Sequence, residues 1–203
     1  MSGKPASEEG VQTPGAAESA PEAPTGEATA AERIAAALEG VPHSFAPHRT
    51  ARDGTPVVIA EREALRAVLE RLRGRGGFET NSFVTAVDRF PAEPRYELNY
   101  QFLSVAHNDR VRVKCCVGAE DAVVPTCIDL WPGAAFAERE CYDMFGVRFE
   151  GHGDLKRLLM PEGYGHHPLR KDFPHEGIEP DRLYREWDRE RRKESAGRAG
   201  GTS

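Results

Sequence analysis

Nowhere in its 203 residues does the chain carry an apolar run approaching the roughly 20 residues that a membrane-spanning helix requires. The N-terminus has neither a basic opening nor an apolar stretch behind it, so no secretory signal is legible and a cytosolic location is expected. No two of the four cysteines, Cys115, Cys116, Cys127 and Cys141, stand in the C-x-x-C spacing of zinc and iron-sulfur sites. They read as small buried hydrophobes of a reducing compartment. A phosphate-binding Walker loop and the glycine fingerprint of dinucleotide-binding folds are missing as well. The formal charge of -6 argues against a dedicated nucleic-acid binder.

What is present, with 39 % hydrophobic and 30 % charged residues, suits one medium domain with polar flanks. Residues 1–28 are almost free of large apolar side chains and cannot bury enough surface to offset ordering entropy, which predicts a disordered tail. A body over residues 29–150 follows. It opens with a short helix over Ala30–Leu38, closed by Gly40, and a strand at Val57–Ile59. Between Glu61 and Arg73 the residues Leu65, Val68, Leu69 and Leu72 fall on one helical stripe, and Gly74, Gly76 and Gly77 end it. Phe83–Val87 reads as a strand. Tyr96, Leu98, Tyr100 and Phe102 alternate with Glu97, Asn99 and Gln101, and Val111, Val113, Cys115 and Val117 alternate with Arg112 and Lys114. With turn residues at His107–Asp109, that is an antiparallel hairpin covered on one face by the Leu65–Leu72 stripe. The expected class is α+β, a mainly antiparallel sheet with helices packed on one face.

The densest stretch runs from Trp131 to Pro174. A helix over Ala134–Phe145 turns Ala134, Ala137, Cys141, Met144 and Phe145 toward the body, with Gly146 at the left-handed cap position. Its opposite side carries Phe136 beside Arg139 and Asp143, with Glu138 and Glu140 on the borders. An aromatic side chain among charges on an outer face points to a second protein surface. Asp154 is placed to cap a helical turn containing Leu155, Leu158 and Leu159. Residues 151–178, held open by prolines and glycines, read as an extended docking arm, and residues 179–203 as a short helix over Pro180–Lys193 with a polar tail. His152, Asp154, His166, His167 and His175 raise a metal-site alternative, although their spacing matches no zinc pattern.

The blocks Glu138–Gly146, Gly151–Leu159 and His167–Pro174, in that order, closely resemble the C subunit of the proton-pumping NADH:quinone oxidoreductase, respiratory complex I. Ala86-Val87-Asp88 and the Tyr96–Cys116 hairpin share the resemblance, which covers residues 41–175. It implies a scaffold on the cytoplasmic side of the cell membrane with no cofactor of its own, FMN and iron-sulfur clusters residing in partner subunits. The implied partners are the quinone-site D subunit, the iron-sulfur B subunit and other subunits of the peripheral arm, with the membrane arm contacted indirectly and no nucleic acid. The residues this assigns to a partner interface are Phe136, Glu138, Arg139, Glu140, Asp143, Phe145, Gly146, His167, Pro168, Leu169, Arg170, Lys171, Asp172 and Phe173. The same blocks leave open the equivalent subunit of a related membrane-bound hydrogenase.

Overall fold

The computed structural model of the chain describes residues 28–46, 54–178, 186 and 188–190. The tail expected over residues 1–28 therefore lies outside the described residues apart from Ala28. Of the closing helix, only Glu186 and residues 188–190 are described, and they are helical.

Helix α1, Ala30–Ala37, is started by Thr29. Its side chain accepts from the Glu32 N–H while the Glu32 carboxylate takes the Thr29 N–H, a reciprocal cap. Strands β1 (Ser44–Phe45) and β2 (Val57–Ile59) lead to helix α2, Arg62–Gly74, whose stripe of Leu65, Val68, Leu69 and Leu72 is fully buried. Burial of each such side chain contributes roughly 1.5–3 kcal/mol. Strands β3 (Thr80–Asp88), β4 (Tyr96–Ser104) and β5 (Asp109–Val117) follow, then β6 (Val123–Pro125), helix α3 (Ala134–Phe145) and β7 (Arg148–Glu150).

The main sheet has the order β1-β2-β5-β4-β3, antiparallel throughout except where β2 runs parallel to β5. Strands β6 and β7 form a separate parallel pair. The fold is α+β, and one continuous core joins the helices to one face of the sheet through Val58, Leu98, Tyr100, Phe102, Val113 and Cys115. Two expectations about exposure change. In β4 the polar residues Glu97, Asn99 and Gln101 are buried along with the apolar ones, because it is a central strand and side chains of β3 and β5 fold over them. Cys115 is buried as expected, but Cys116 points to the other face of β5 and is exposed.

Residues 151–178, expected as an extended docking arm, contain neither helix nor strand and are drawn against the body through a series of tight turns. The helical turn expected after Asp154 does not form.

Candidate protein interface at the end of helix α3

Helix α3 is embedded rather than laid on the surface. Before it, Trp131 stacks on Phe102 at 4.3 Å between ring centroids and donates its indole N–H to the Phe78 carbonyl at 2.9 Å. On the sheet side the Cys141 thiol lies 3.6 Å from the Val84 carbonyl of β3. Glu138, expected at the border of the apolar arc, is fully buried; it accepts from the Cys127 N–H at 2.8 Å and the Thr126 hydroxyl at 2.5 Å. Burial pushes its carboxyl above the ordinary value, and those two donors pull in the opposite direction without overcoming it.

Asp143 is also fully buried, which corrects its placement on an outward face. Residues 152–170 fold back over that side of α3. The Asp143 Oδ2 takes the N–H groups of Leu158 at 3.0 Å, Leu159 at 2.7 Å and Met160 at 2.9 Å, and Oδ1 takes Arg157 Nη1 at 2.7 Å. Burial alone would raise its pKa, but three backbone donors and a guanidinium outweigh that and hold it below the ordinary value. The carboxylate thus does from a distant helix what Asp154 was expected to do locally.

A helix leaves its last carbonyls without partners inside the helix. Here all of the final turn is taken up. The Tyr142 carbonyl accepts the Gly146 N–H, Asp143 accepts His167 Nδ1, Met144 accepts the Leu169 N–H and Phe145 accepts Arg170 Nε, at 2.9, 2.9, 3.1 and 2.7 Å. A carbonyl can only accept, so the proton of His167 sits on Nδ1; burial lowers the pKa of this ring. Gly146 turns the chain at φ +82°, and a Cβ there would collide with the Arg170 guanidinium and approach His167 Nε2 to 2.8 Å. Glycine is required twice over, by conformation and by space.

A second lock joins the segment to the sheet. Asp88, at the end of β3, accepts from the Phe90 N–H, from Arg95 Nε and Nη2, and from the Lys171 N–H, at 2.8–2.9 Å. Arg95, nearly buried, turns its other edge to Asp172 in a two-pronged contact of 3.0 and 2.8 Å. Its hydrogen bonds hold Asp88 far below the usual carboxylate range. The guanidinium groups of Arg95 and Arg170 also lie over the Tyr96 ring, at 5.2 and 5.7 Å.

Of the residues assigned from sequence to a partner interface, the structure brings Asp143, Gly146, His167, Arg170, Lys171 and Asp172 together, bound to one another or to the body of this chain. Arg139 donates to the carbonyls of Lys156 at 3.1 Å and Arg157 at 2.9 Å, not to Asp143. Phe145 is buried, and Pro168 and Phe173 are half-buried. Left facing outward are Phe136 at 64 % exposure, under the Arg139 guanidinium, and Leu169 at 53 %, with Glu140 one turn beyond Phe136. Leu159, 64 % exposed, belongs with them and was not assigned to the interface from sequence. Arg95 and Arg157 were missed too. Their position opposite Asp88 and Asp143 depends on contacts across the fold, although an arginine directly ahead of an alternating strand was a visible signal.

The histidines do not converge. His152 Nε2 lies 3.2 Å from the Ala135 carbonyl, His166 packs against Tyr164 and Phe173, and His167 caps α3. Among the described residues no three side chains of His, Cys, Asp or Glu are gathered as a metal site needs, and no helix is long and apolar enough to cross a membrane.

A family model described as the 30 kDa subunit of respiratory-chain NADH dehydrogenase matches residues 58–179. Among curated relatives, the C subunit of NADH-quinone oxidoreductase from Moorella thermoacetica is 40 % identical over 129 residues, 63 % of this chain and 86 % of that one. The C/D 2 subunit of NADH-quinone oxidoreductase from Aquifex aeolicus is 50 % identical over 115 residues; the match takes in 56 % of this chain but only 19 % of that longer protein. Two solved structures share the fold at 28 % identity. A trypsin-resistant fragment of Nqo5 is covered completely by 63 % of this chain at a TM-score of 0.55. A chain of the membrane-bound sulfane sulfur reductase, an archaeal respiratory membrane complex, matches 70 % of this chain at a TM-score of 0.59.

Proposed function

Because the chain belongs to the family of the 30 kDa subunit of respiratory-chain NADH dehydrogenase, the C subunit of complex I, we propose that it is a scaffold of the peripheral arm without a cofactor of its own. The observation that carries this is the state of α3. Its buried carboxylates and last carbonyls are satisfied within the chain, while Phe136, Leu159 and Leu169 are left outside. Saturated polar groups offer no acid, base or metal ligand to a substrate, whereas exposed apolar side chains on a rigid frame suit a protein partner. In the assembled enzyme electrons pass from NADH through FMN and iron-sulfur centres of other subunits to quinone, coupled to proton translocation. This chain holds the quinone-site D subunit, and with it the iron-sulfur B subunit, in register on the cytoplasmic face of the membrane. The Aquifex relative, whose name joins C and D in one chain, supports the quinone-site D subunit as the neighbour.

Affinity purification of the tagged chain from membranes in mild detergent tests the proposal. Stoichiometric recovery with a quinone-site subunit and iron-sulfur subunits is expected, and Phe136→Ala combined with Leu159→Glu should abolish it without unfolding the isolated chain. Recovery of the chain alone, or unaltered assembly of the double variant, would overturn it. The likeness to the sulfane sulfur reductase chain favours a second reading, the equivalent subunit of a respiratory complex not fed by NADH. The presence of a flavoprotein in the recovered complex decides between the two.

A further inference from the structure

Helices α1, α2 and α3 contribute to the core on one face of the main sheet, and among the described residues no element covers the other face. Successive side chains of a strand alternate between faces. Registers therefore place Glu97, Asn99 and Gln101 of β4 beside Cys116, Lys114 and Arg112 of β5 on the open side. Apolar side chains flank this polar row. Ile59 of β2 stands next to Lys114, 37 % exposed, and Val87 and Phe83 of β3 stand next to Glu97 and Gln101, 45 % and 38 % exposed.

The charge on this face runs against that of the chain. The Glu97 carboxylate is already held by Lys114 Nζ at 2.7 Å and by Arg89. Arg112 donates to the neutral amide of Gln101 at 3.1 Å, and neither it nor Arg110 has a carboxylate partner among the described residues. Four cations thus face the carboxylate of Glu97, with Glu61 close enough to Cys116 to act on its thiol, in a chain whose formal net charge is -6.

We propose that the open sheet face is a second docking surface, taken in the assembled complex by an acidic, partly apolar surface of another protein chain. The proposal rests on the scaffold reading and extends it, since the protein then bridges two neighbours instead of hanging from one. A second copy of this chain is the wrong occupant, because a symmetric contact would set the same cations against each other. An anionic lipid surface fits poorly too. Lys114 and Arg112 are tied to Glu97 and Gln101 of the neighbouring strand β4, and the apolar side chains are more than half buried instead of projecting as interfacial anchors do.

Cys116 provides the probe, as it is exposed on this face while the other three cysteines are buried. Maleimide labelling of Cys116 is followed in the isolated full-length chain and in the purified complex, and each variant is scored by the ratio of the two rates. Labelling is expected to slow at least severalfold in the complex and to recover as salt is raised. Arg112→Glu should remove the protection and Arg112→Lys keep it. Full reactivity in a complex that contains the chain stoichiometrically would overturn the proposal and leave the scaffold reading standing. Protection indifferent to salt and to Arg112→Glu would overturn it by showing an occupant that is not acidic. So would concentration-dependent protection of the isolated chain, which marks a second copy, or protection of that chain by phosphatidylglycerol vesicles, which marks lipid. Failure to recover the chain with any complex would instead remove the scaffold reading, and the proposal with it.

Discussion

Glu138 and Asp143 are two carboxylates on one helix, both fully buried, and their proton affinities move in opposite directions. Glu138 faces the core with two donors and is pushed up by burial. Asp143 faces the folded-back segment with three backbone N–H groups and Arg157, and is held down. Neither reaches solvent, but Glu138 sits deeper among core atoms than Asp143. The number of donors that the surrounding chain delivers differs as well, and those of Asp143 come from residues 157–160. A buried charge on this helix is therefore a measure of how completely a distant segment has folded onto it.

The largest effect is expected from Asp143→Ala. It strands Arg157 and three N–H groups at once, and losing one member of a buried, hydrogen-bonded charge cluster costs about 3–5 kcal/mol. Urea denaturation of the isolated chain measures it, with increased protease cleavage between residues 151 and 173 as the accompanying sign. A loss under about 1 kcal/mol, within the usual worth of an exposed pair, would mean that the segment does not depend on this carboxylate.

Gly146→Ala comes next, at about 1–3 kcal/mol for a non-glycine residue in the left-handed region. Its Cβ must also displace Arg170 and His167. Thermal unfolding should show the loss, and most of it should persist when Arg170→Ala is added, because the backbone strain remains. If adding Arg170→Ala restored stability, crowding alone would account for the glycine.

Titration sharpens the contrast further. The folded-state value of Asp143 is depressed, so its contribution is present above the ordinary carboxyl value and lost as pH falls through the folded one. Glu138 has the opposite sign. Its folded-state value is raised, so the fold favours the protonated form, and stability declines as pH rises from the ordinary value through the folded one. Glu138→Gln can keep the Cys127 N–H bond through its amide oxygen and donate its NH2 to the Thr126 hydroxyl oxygen, without a charge. It should flatten the loss of stability above the ordinary carboxyl value and change little below it, by about 1 kcal/mol or less in either range. A cost equal to that of Asp143→Ala would erase the distinction between the two sites.

The smallest change is expected from Asp172→Asn. This side chain is 48 % exposed, and Arg95 keeps Asp88 when it is gone, so the loss should stay within about 1 kcal/mol. Raising the salt concentration should shrink the difference between wild type and variant. A loss as large as that at Asp143 would show that the outer lock, not the helix cap, carries the segment.

Much of the frame was legible because its signals are local. The stripe of α2, the alternation of β4 and β5, and the glycine after α3 each follow from a repeat or a backbone requirement contained in a dozen residues or fewer. The α+β class followed from joining them. The parallel pairing of β2 with β5 was not legible, since nothing in three residues of β2 says which strand lies alongside. The candidate site divides in the same way. Phe136 and Leu169 could be named from the stretch that contains them, but Asp143 was turned the wrong way because an isolated helical wheel has no knowledge of residues 152–170.

Chain order and side-chain chemistry thus determined that helices α1–α3 and strands β2–β5 form, which stripe α2 buries, and which blocks mark the family. Only the tertiary structure decided what the charged blocks do. Asp88 meets Lys171, Asp143 meets Leu158–Met160, and Arg95 meets Asp172 across separations that no periodicity encodes. Periodicity follows from the geometry of a single element, whereas the partners of a buried charge follow from which other element folding brings against it.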